Sequence, residues 1–148
     1  MKLVLAGLLL LTTLGAAGAP ASRLDPAPSV AAQDARPVYV VYYWRARPGK
    51  AAEYAAYIRN VAEPIDEDAR KAGVFEEVRT YTPAIVTGAA GADWTHMRVF
   101  KLKSLAAWDA FSAGMDAATK RLYPDERTRP RSDDLRDLVR QELWREFR

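Results

Sequence analysis

The chain reads VYVVYYWRARPGK over residues 38–50, and this stretch has the clearest strand-and-turn pattern. Its first ten residues are dense in valine, tyrosine and tryptophan, which favour β-strands. Residues 38–47 therefore predict the strongest strand of the chain. Pro48 and Gly49 end the strand in a turn, because proline and glycine are the residues that tight turns prefer.

A helical pattern follows the turn directly, over residues 51–72. Pro64 lies inside the pattern, and because proline has no amide hydrogen we expect it to kink the helix or divide it in two. Gly73 is suited to end the helix. The apolar residues recur at spacings of three and four, as on one face of a helix, and are Tyr54, Tyr57, Ile58, Val61, Ile65 and Ala69.

The middle of the chain predicts two strands and a second long helix. The strands cover residues 74–83 and 94–102, and a loop with two glycines joins them over residues 87–93. Ser104 is the predicted N-cap of the helix that follows. The apolar stripe of this helix consists of Leu105, Trp108, Phe111, Met115, Ala118 and Leu122.

The C-terminal part of the chain predicts a third helix. Asp133 and Asp134 follow Ser132 and suit its first turn, because acidic side chains are stabilised at the positive end of a helix. Residues 143–148 could instead form a short last strand. The apolar side of the helix would consist of Leu135, Leu138, Val139, Leu143 and Phe147.

The order of these elements predicts an α+β fold, a ferredoxin-like sandwich with a C-terminal helical extension. The helices would cover one face of the sheet and leave the other face without cover. Because large apolar patches on proteins in solution are normally covered, we expect a homodimer formed by contact between two sheets.

The composition narrows the function classes. The 148 residues include 22 basic and 19 acidic side chains and no cysteine. The charges are interspersed and form no basic stripe, so nucleic acid is not an expected partner. Without cysteine there are no disulfides, and the stability of the domain must come from a packed core or from assembly.

The N-terminus has the layout of a secretory signal. Lys2 precedes an apolar run that is too short to span a bilayer, and small residues follow it. We expect a signal peptide over residues 1–21, a flexible leader over residues 22–37 and one domain over residues 38–148. The protein would then be periplasmic or secreted, without membrane attachment after cleavage. Cleavage before Pro20 and an uncleaved anchor are the alternatives.

Two motifs resemble the dimeric α+β barrel superfamily, which includes antibiotic-biosynthesis monooxygenase-like proteins. The first strand ends in Arg45-x-x-Pro48-Gly49-Lys50 and precedes Glu53-Tyr54, and the third strand runs into KSLAAWDAF over residues 103–111. The resemblance covers residues 38–122. It implies the fold, whereas the activities of its members range from cofactor-free oxygenases and isomerases to haem proteins and proteins without known activity.

Strand alternation selects the candidate site. One combination of strand faces brings together Tyr43, Arg45, Arg79, Tyr81, Trp94, His96 and Arg98. His96, the only histidine, is the candidate catalytic residue, since an imidazole titrates near neutral pH and can act as a general base on a phenol or acid. It could also ligate haem or be a packed structural residue. The predicted ligand-binding residues are Tyr43, Arg79, Tyr81, Trp94 and Arg98.

The remaining polar residues allow simpler interpretations. Arg79 and Arg98 could bind a carboxylate, or they could pair with local acids such as Glu76 and Glu77. The acidic run at residues 66–68 lacks the spacing of a calcium loop and indicates a solvated helix face. One histidine and no cysteine leave too few ligands for zinc or copper, and no phosphate-binding loop occurs, so neither a metal nor another cofactor is expected.

Three functional hypotheses follow from the sequence. The chain is a cofactor-independent oxygenase or isomerase acting on a small aromatic or acidic molecule, a non-catalytic ligand-binding protein that could bind haem, or a purely structural dimer. A convergent acid–base pair in a cavity favours the enzyme, whereas a cavity without one favours a binding protein.

Overall fold

The computed structural model describes residues 35–86 and 93–147. The predicted signal peptide, most of the predicted leader and nearly all of the predicted loop at residues 87–93 lie outside the described residues. Within the two described ranges, no helix is both long enough and apolar enough to cross a membrane.

Four antiparallel strands form one sheet, and the helices pack against one of its faces. The strands are β1 (Val38–Ala46), β2 (Glu77–Tyr81), β3 (His96–Leu102) and β4 (Arg136–Trp144), and their order across the sheet is β2-β3-β1-β4. The helices are α1 (Ala51–Tyr57), α2 (Glu63–Lys71) and α3 (Ala106–Leu122). This is the ferredoxin-like arrangement, and the predicted α+β sandwich is confirmed.

β1, the predicted strongest strand, is a central strand of the sheet. Val38, Val40 and Val41 are completely buried. β1 pairs with β3 on one side and with β4 on the other. Because a strand with two neighbours has no free edge, β-branched and aromatic residues fit almost every position in it.

The long predicted helix is divided just before Pro64, as the missing amide hydrogen of proline leads one to expect. A π-helical turn at Ile58–Ala62 joins α1 to α2, and the amide of Glu63 donates to the carbonyl of Ile58. Pro64 then occupies the first turn of α2, where its missing amide hydrogen is tolerated. Because a π turn contains more residues than an α turn, it changes which later residues face the sheet. Those that are buried in α2 are Ile65, Asp66 and Ala69.

Gly73 ends α2, as predicted, in a Schellman motif. Its φ is 77°, a conformation that suits glycine because it has no Cβ. Its amide donates to the carbonyl of Arg70, and the amide of Val74 donates to the carbonyl of Ala69, at 2.9 and 3.1 Å. The motif places Val74 against Gly114 of α3.

An aromatic cluster forms the centre of the core. The ring of Phe100 on β3 lies 5.1 Å from that of Phe75 and 5.2 Å from that of Phe111. Both contacts are edge-to-face or close to it, which is the arrangement that aromatic quadrupoles prefer. The cluster joins the sheet to α3, and Ile65 and Ala69 of α2 pack into the same core.

The predicted C-terminal helix is wrong, because this part of the chain forms β4. It pairs with the outer edge of β1 from Tyr39 opposite Trp144 to Ala46 opposite Arg136, with a register shift between Tyr43 and Trp44. The leucine spacing in this segment fits a helix, but unpaired amides and carbonyls along β1 would need other partners. Tertiary pairing therefore overrides the local pattern.

The predicted Ser104 cap is also wrong. α3 begins at Ala106 with Leu105 in the N-cap position, and no side chain caps it. The backbone carbonyl of Ser104 instead accepts the amide of Ala107 at 3.2 Å.

The contact between Val74 and Gly114 gives a stability prediction. Alanine normally stabilises a helix interior by about 1 kcal/mol relative to glycine. A Cβ at Gly114, however, would lie 2.6 and 2.7 Å from the two γ-carbons of Val74. We expect Gly114→Ala to lower the free energy of unfolding in urea by about 1–3 kcal/mol.

Val74→Ala provides the matched background for this measurement, since it removes both γ-carbons. In that background Gly114→Ala should be neutral or stabilising. An equal loss of stability in both backgrounds would contradict the close packing of α3 on Val74.

Candidate functional site

The register between β1 and β3 separates the predicted site residues into two groups. His96 lies opposite Trp44 and Arg98 opposite Tyr42, and these four side chains are on the sheet face that the helices cover. Tyr43 lies opposite Met97 and therefore points to the other face. The predicted common face is wrong, since one residue of register decides which side chains meet.

The open face, on the side of the sheet away from the helices, holds the other predicted residues in contacts of their own. Tyr43 donates to Glu142 at 3.1 Å, and the ring of Trp94 lies 5.7 Å from the Tyr43 ring. Arg79 pairs with Glu77, the local acid that the sequence offered as an alternative. Tyr81 lines a shallow depression of about 240 Å³ together with Tyr39, Glu77, Arg79, Val99 and Lys101.

His96 is packed and hydrogen-bonded. It is 7% exposed, its Nδ1 lies 2.9 Å from the hydroxyl of Thr95, and the ring of Tyr54 meets it nearly perpendicularly at 4.7 Å. Burial lowers the pKa of His96 below its ordinary value, so the neutral imidazole is favoured at neutral pH. These contacts fit a packed histidine better than an axial haem ligand, which needs a ring nitrogen that faces a large cavity.

Arg98 forms a buried ion pair that the sequence analysis missed. Its Nη2 donates to Oδ2 of Asp66, and its Nε donates to the hydroxyl of Thr80 at 3.3 Å. Asp66 is 2% exposed and Arg98 6%, so the predicted solvated helix face is wrong at Asp66. Regular helical spacing does not predict this ion pair, because the π-helical turn before Asp66 changes which residues face the sheet.

Asp66 is held in an unfavourable place for a charged carboxylate. Its Oδ1 is buried without a hydrogen-bond partner among the described residues. Desolvation by burial raises the pKa of Asp66 to about 6, although the nearby positive charge of Arg98 opposes the change. Asp66 therefore titrates close to neutral pH.

A cleft of about 230 Å³ opens between the helix-covered face of the sheet and α3. Four aromatic side chains line it, and two guanidinium groups enter it from β3 and β4. One carboxylate, that of Asp116 on α3, also faces it. The lining residues are Tyr42, Trp44, Arg98, Phe100, Phe111, Ser112, Met115, Asp116 and Arg136. His96 is not among them.

Arg136 is the cleft residue that sequence reasoning passed over. Its guanidinium carbon lies 3.4 Å from the centroid of the Trp44 ring. It donates to the hydroxyl of Tyr54 at 2.9 Å and to that of Ser132 at 3.0 Å. None of these partners is a carboxylate, and within the described part of the chain Arg136 has no ion pair. The sequence predicts a helix over this segment, and that prediction gives no reason to expect Arg136 beside Trp44.

Comparison with known proteins supports the fold. No family model matches the chain, and no curated protein matches it. HapK from Hahella chejuensis has a similar structure, with a TM-score of 0.51 and 13% sequence identity over 74% of this chain and 92% of HapK. An EthD-like protein from Ralstonia eutropha JMP134 gives a TM-score of 0.48 and 14% identity over 74% of this chain and 90% of that protein.

The similarity to HapK supports the predicted α+β fold of the single chain. At 13% identity the likeness to HapK extends to the fold alone. A shared fold does not determine function, which depends on the cleft and its charges.

The titration of Asp66 gives a prediction for stability. Its folded-state pKa of about 6 exceeds the unfolded value of about 3.9. As pH rises from about 4 to about 7, the unfolded chain loses this proton first, so the folded state loses stability. The free energy of unfolding of the wild type, relative to Asp66→Asn, should therefore fall by up to about 3 kcal/mol.

Urea unfolding of both proteins across this pH range measures the difference. Taking the difference between the two proteins cancels the contributions of other carboxylates to the free energy of unfolding. One of these is Glu67, whose pKa is lowered to about 2 by the hydrogen bond from Arg70 and whose contribution changes with pH in the opposite sense. A difference that stays constant or grows with pH would contradict the assigned titration of Asp66.

Proposed function

We propose that this protein is an exported homodimer that binds a small aromatic acid or phenol in the cleft between the sheet and α3. We further propose that the bound molecule is the substrate of a cofactor-independent oxygenase or isomerase reaction. The signal-like layout of residues 1–21 supports export.

The position of Arg136 is the observation that carries the proposed ligand class. A guanidinium that stacks on an indole and has no carboxylate partner retains its charge for an incoming anion. Its hydrogen bonds to Tyr54 and Ser132 fix its orientation before a ligand arrives. A positioned cation at the end of an aromatic cleft suits an aromatic carboxylate or a phenolate.

The walls of the cleft support an aromatic rather than an aliphatic ligand. Tyr42 and Trp44 stack with their centroids 5.9 Å apart, and the buried rings of Phe100 and Phe111 also line the cleft. Flat, rigid walls gain most from a flat ligand, because aromatic pairs add to the energy of burial. Met115 adds an adaptable apolar surface on the helix side.

A second candidate is a non-catalytic binding protein, and the position of His96 favours it. His96 is the predicted general base but does not line the cleft. The nearest arrangement to an acid–base pair consists of Asp116, which faces the cleft, and Asp66, which lies behind Arg98. Turnover measurements separate this candidate from the enzyme.

We expect Arg136→Ala to weaken the binding of benzoate at least about tenfold, because a charge-assisted hydrogen bond contributes about 1.5–3 kcal/mol. Isothermal titration calorimetry measures the affinity, and Arg136→Lys should restore only part of it because lysine cannot stack as a plane. Arg121→Ala removes a cation of α3 that does not line the cleft and is paired with Asp68, and this variant should bind benzoate like the wild type. Equal affinity in Arg136→Ala and the wild type would refute the proposed site.

Asp116→Asn tests the catalytic part of the proposal, because Asp116 is the carboxylate that faces the cleft, whereas the predicted base His96 does not line it. Removing a general base typically lowers the rate by about 10²–10⁴-fold, whereas the affinity for a cleft ligand should not fall. The assay is product formation from a panel of phenols and aromatic acids, followed by mass spectrometry. If the wild type binds members of the panel but converts none, the non-catalytic candidate replaces the enzyme.

The open face of the sheet supports the proposed dimer. Trp144 and Tyr81 are 46% and 42% exposed on this face, and Met97 and Val99 lie between them. Sedimentation at micromolar concentration should therefore give twice the mass of the mature chain. Trp144→Glu should shift the protein towards the monomer, and a wild-type monomer would refute the proposed assembly.

A further inference from the structure

Two guanidinium groups and two carboxylates control the charge of the cleft. Arg136 and Arg98 supply the cations, Asp116 faces the cleft, and Asp66 pairs with Arg98 from behind. With both carboxylates ionised the four groups are balanced. A proton on Asp66 therefore leaves the cleft with a net positive charge.

Few groups surround Asp66, and these groups determine whether its carboxyl group is ionised. From its own helix, Glu63 disfavours ionisation, whereas Glu67 pairs outward with Arg70. From β3, Arg98 is its ion-pair partner, and Val78 of β2 lines the same small pocket as Asp66. The buried Oδ1 accepts no hydrogen bond from the described residues.

Arg98 is also faced by charged groups on other elements. Across the cleft are Asp116 on α3 and Arg136 on β4, and His96 lies two residues along the same strand. Nη2 donates one hydrogen to Asp66 and Nε donates to Thr80, so the two hydrogens of Nη1 and the second hydrogen of Nη2 are left for a ligand. While Asp66 is ionised, its charge offsets the attraction of Arg98 for an anion.

We propose that Asp66 is a positioning residue that governs the anion affinity of the cleft, because its protonation releases Arg98 to bind an aromatic anion. The protein would then hold such a ligand more tightly in mildly acidic surroundings than at neutral pH. This inference rests on the proposed binding of an aromatic anion in the cleft.

Benzenesulfonate is a suitable probe, since it stays anionic throughout the range from about pH 5 to about pH 8. Its affinity for the full-length mature protein, measured by calorimetry, should rise about tenfold as pH falls across this range. Benzenesulfonamide has a similar shape but is neutral, and its affinity should not change with pH.

Asp66→Asn separates the contribution of Asp66 from those of His96 and Asp116, which this variant retains. It should bind benzenesulfonate at neutral pH as tightly as the wild type does in acid, with little change across the range. Glu67→Gln removes a similar charge one residue away on the same helix and should keep the wild-type pH profile. A pH profile that persists in Asp66→Asn would overturn the assignment to Asp66.

A measurement on the wild type does not depend on how well the variant folds. If protonation of Asp66 favours the anion, then by linkage the bound anion raises the pKa of Asp66, by about 1 for a tenfold difference in affinity. Carbon NMR of the Asp66 carboxyl with and without benzenesulfonate measures this change. An unchanged pKa in the presence of bound probe overturns the inference, whereas failure to bind either probe at any pH refutes the proposed function itself.

Discussion

The pairing of β1 with a strand on each side sets the positions of the side chains on both faces of the sheet. Its register with β3 places Trp44 opposite His96 and Tyr42 opposite Arg98. Its register with β4 places Leu138 opposite Trp44 and Arg136 opposite Ala46. Because side chains alternate along a strand, these pairings together decide which residues the helices cover and which remain on the open face.

The helix-covered side of the sheet contains a buried pair of opposite charges. The ion pair between Arg98 and Asp66 is nearly inaccessible to solvent, and one oxygen of Asp66 has no hydrogen-bond partner among the described residues. Burying two charges requires desolvation that their attraction only partly offsets, so such a pair is weak support for a purely stabilising role. Its position at the wall of an aromatic cleft is instead consistent with ligand recognition.

β4 shows how an edge strand can supply a functional side chain. Its burial is low along most of its length, and its leucines lie partly exposed. What the strand contributes is Arg136 at its first residue, held over Trp44 and bonded to Tyr54 and Ser132. The bond between the Arg136 guanidinium and the Tyr54 hydroxyl joins the end of β4 to α1, so the cleft and the packing of the first helix are structurally connected.

Sequence patterns alone predict β1, the long interrupted helix with its glycine stop, the order of the elements as far as α3, and the α+β class. These features follow from local propensity and periodicity, which need no knowledge of distant residues. The sequence also singled out His96 and Arg98, which do share a face because they are two residues apart on one strand.

Only the tertiary structure decided the partners of those residues. The leucines of residues 135–143 fit a helix as well as a strand, and the open edge of β1 selected the strand. The placement of Asp66 depends on a π-helical turn, and that of Tyr43 and Arg79 on strand register. The physical reason is that backbone hydrogen bonds between distant strands, rather than any local pattern, determine which side chains face one another.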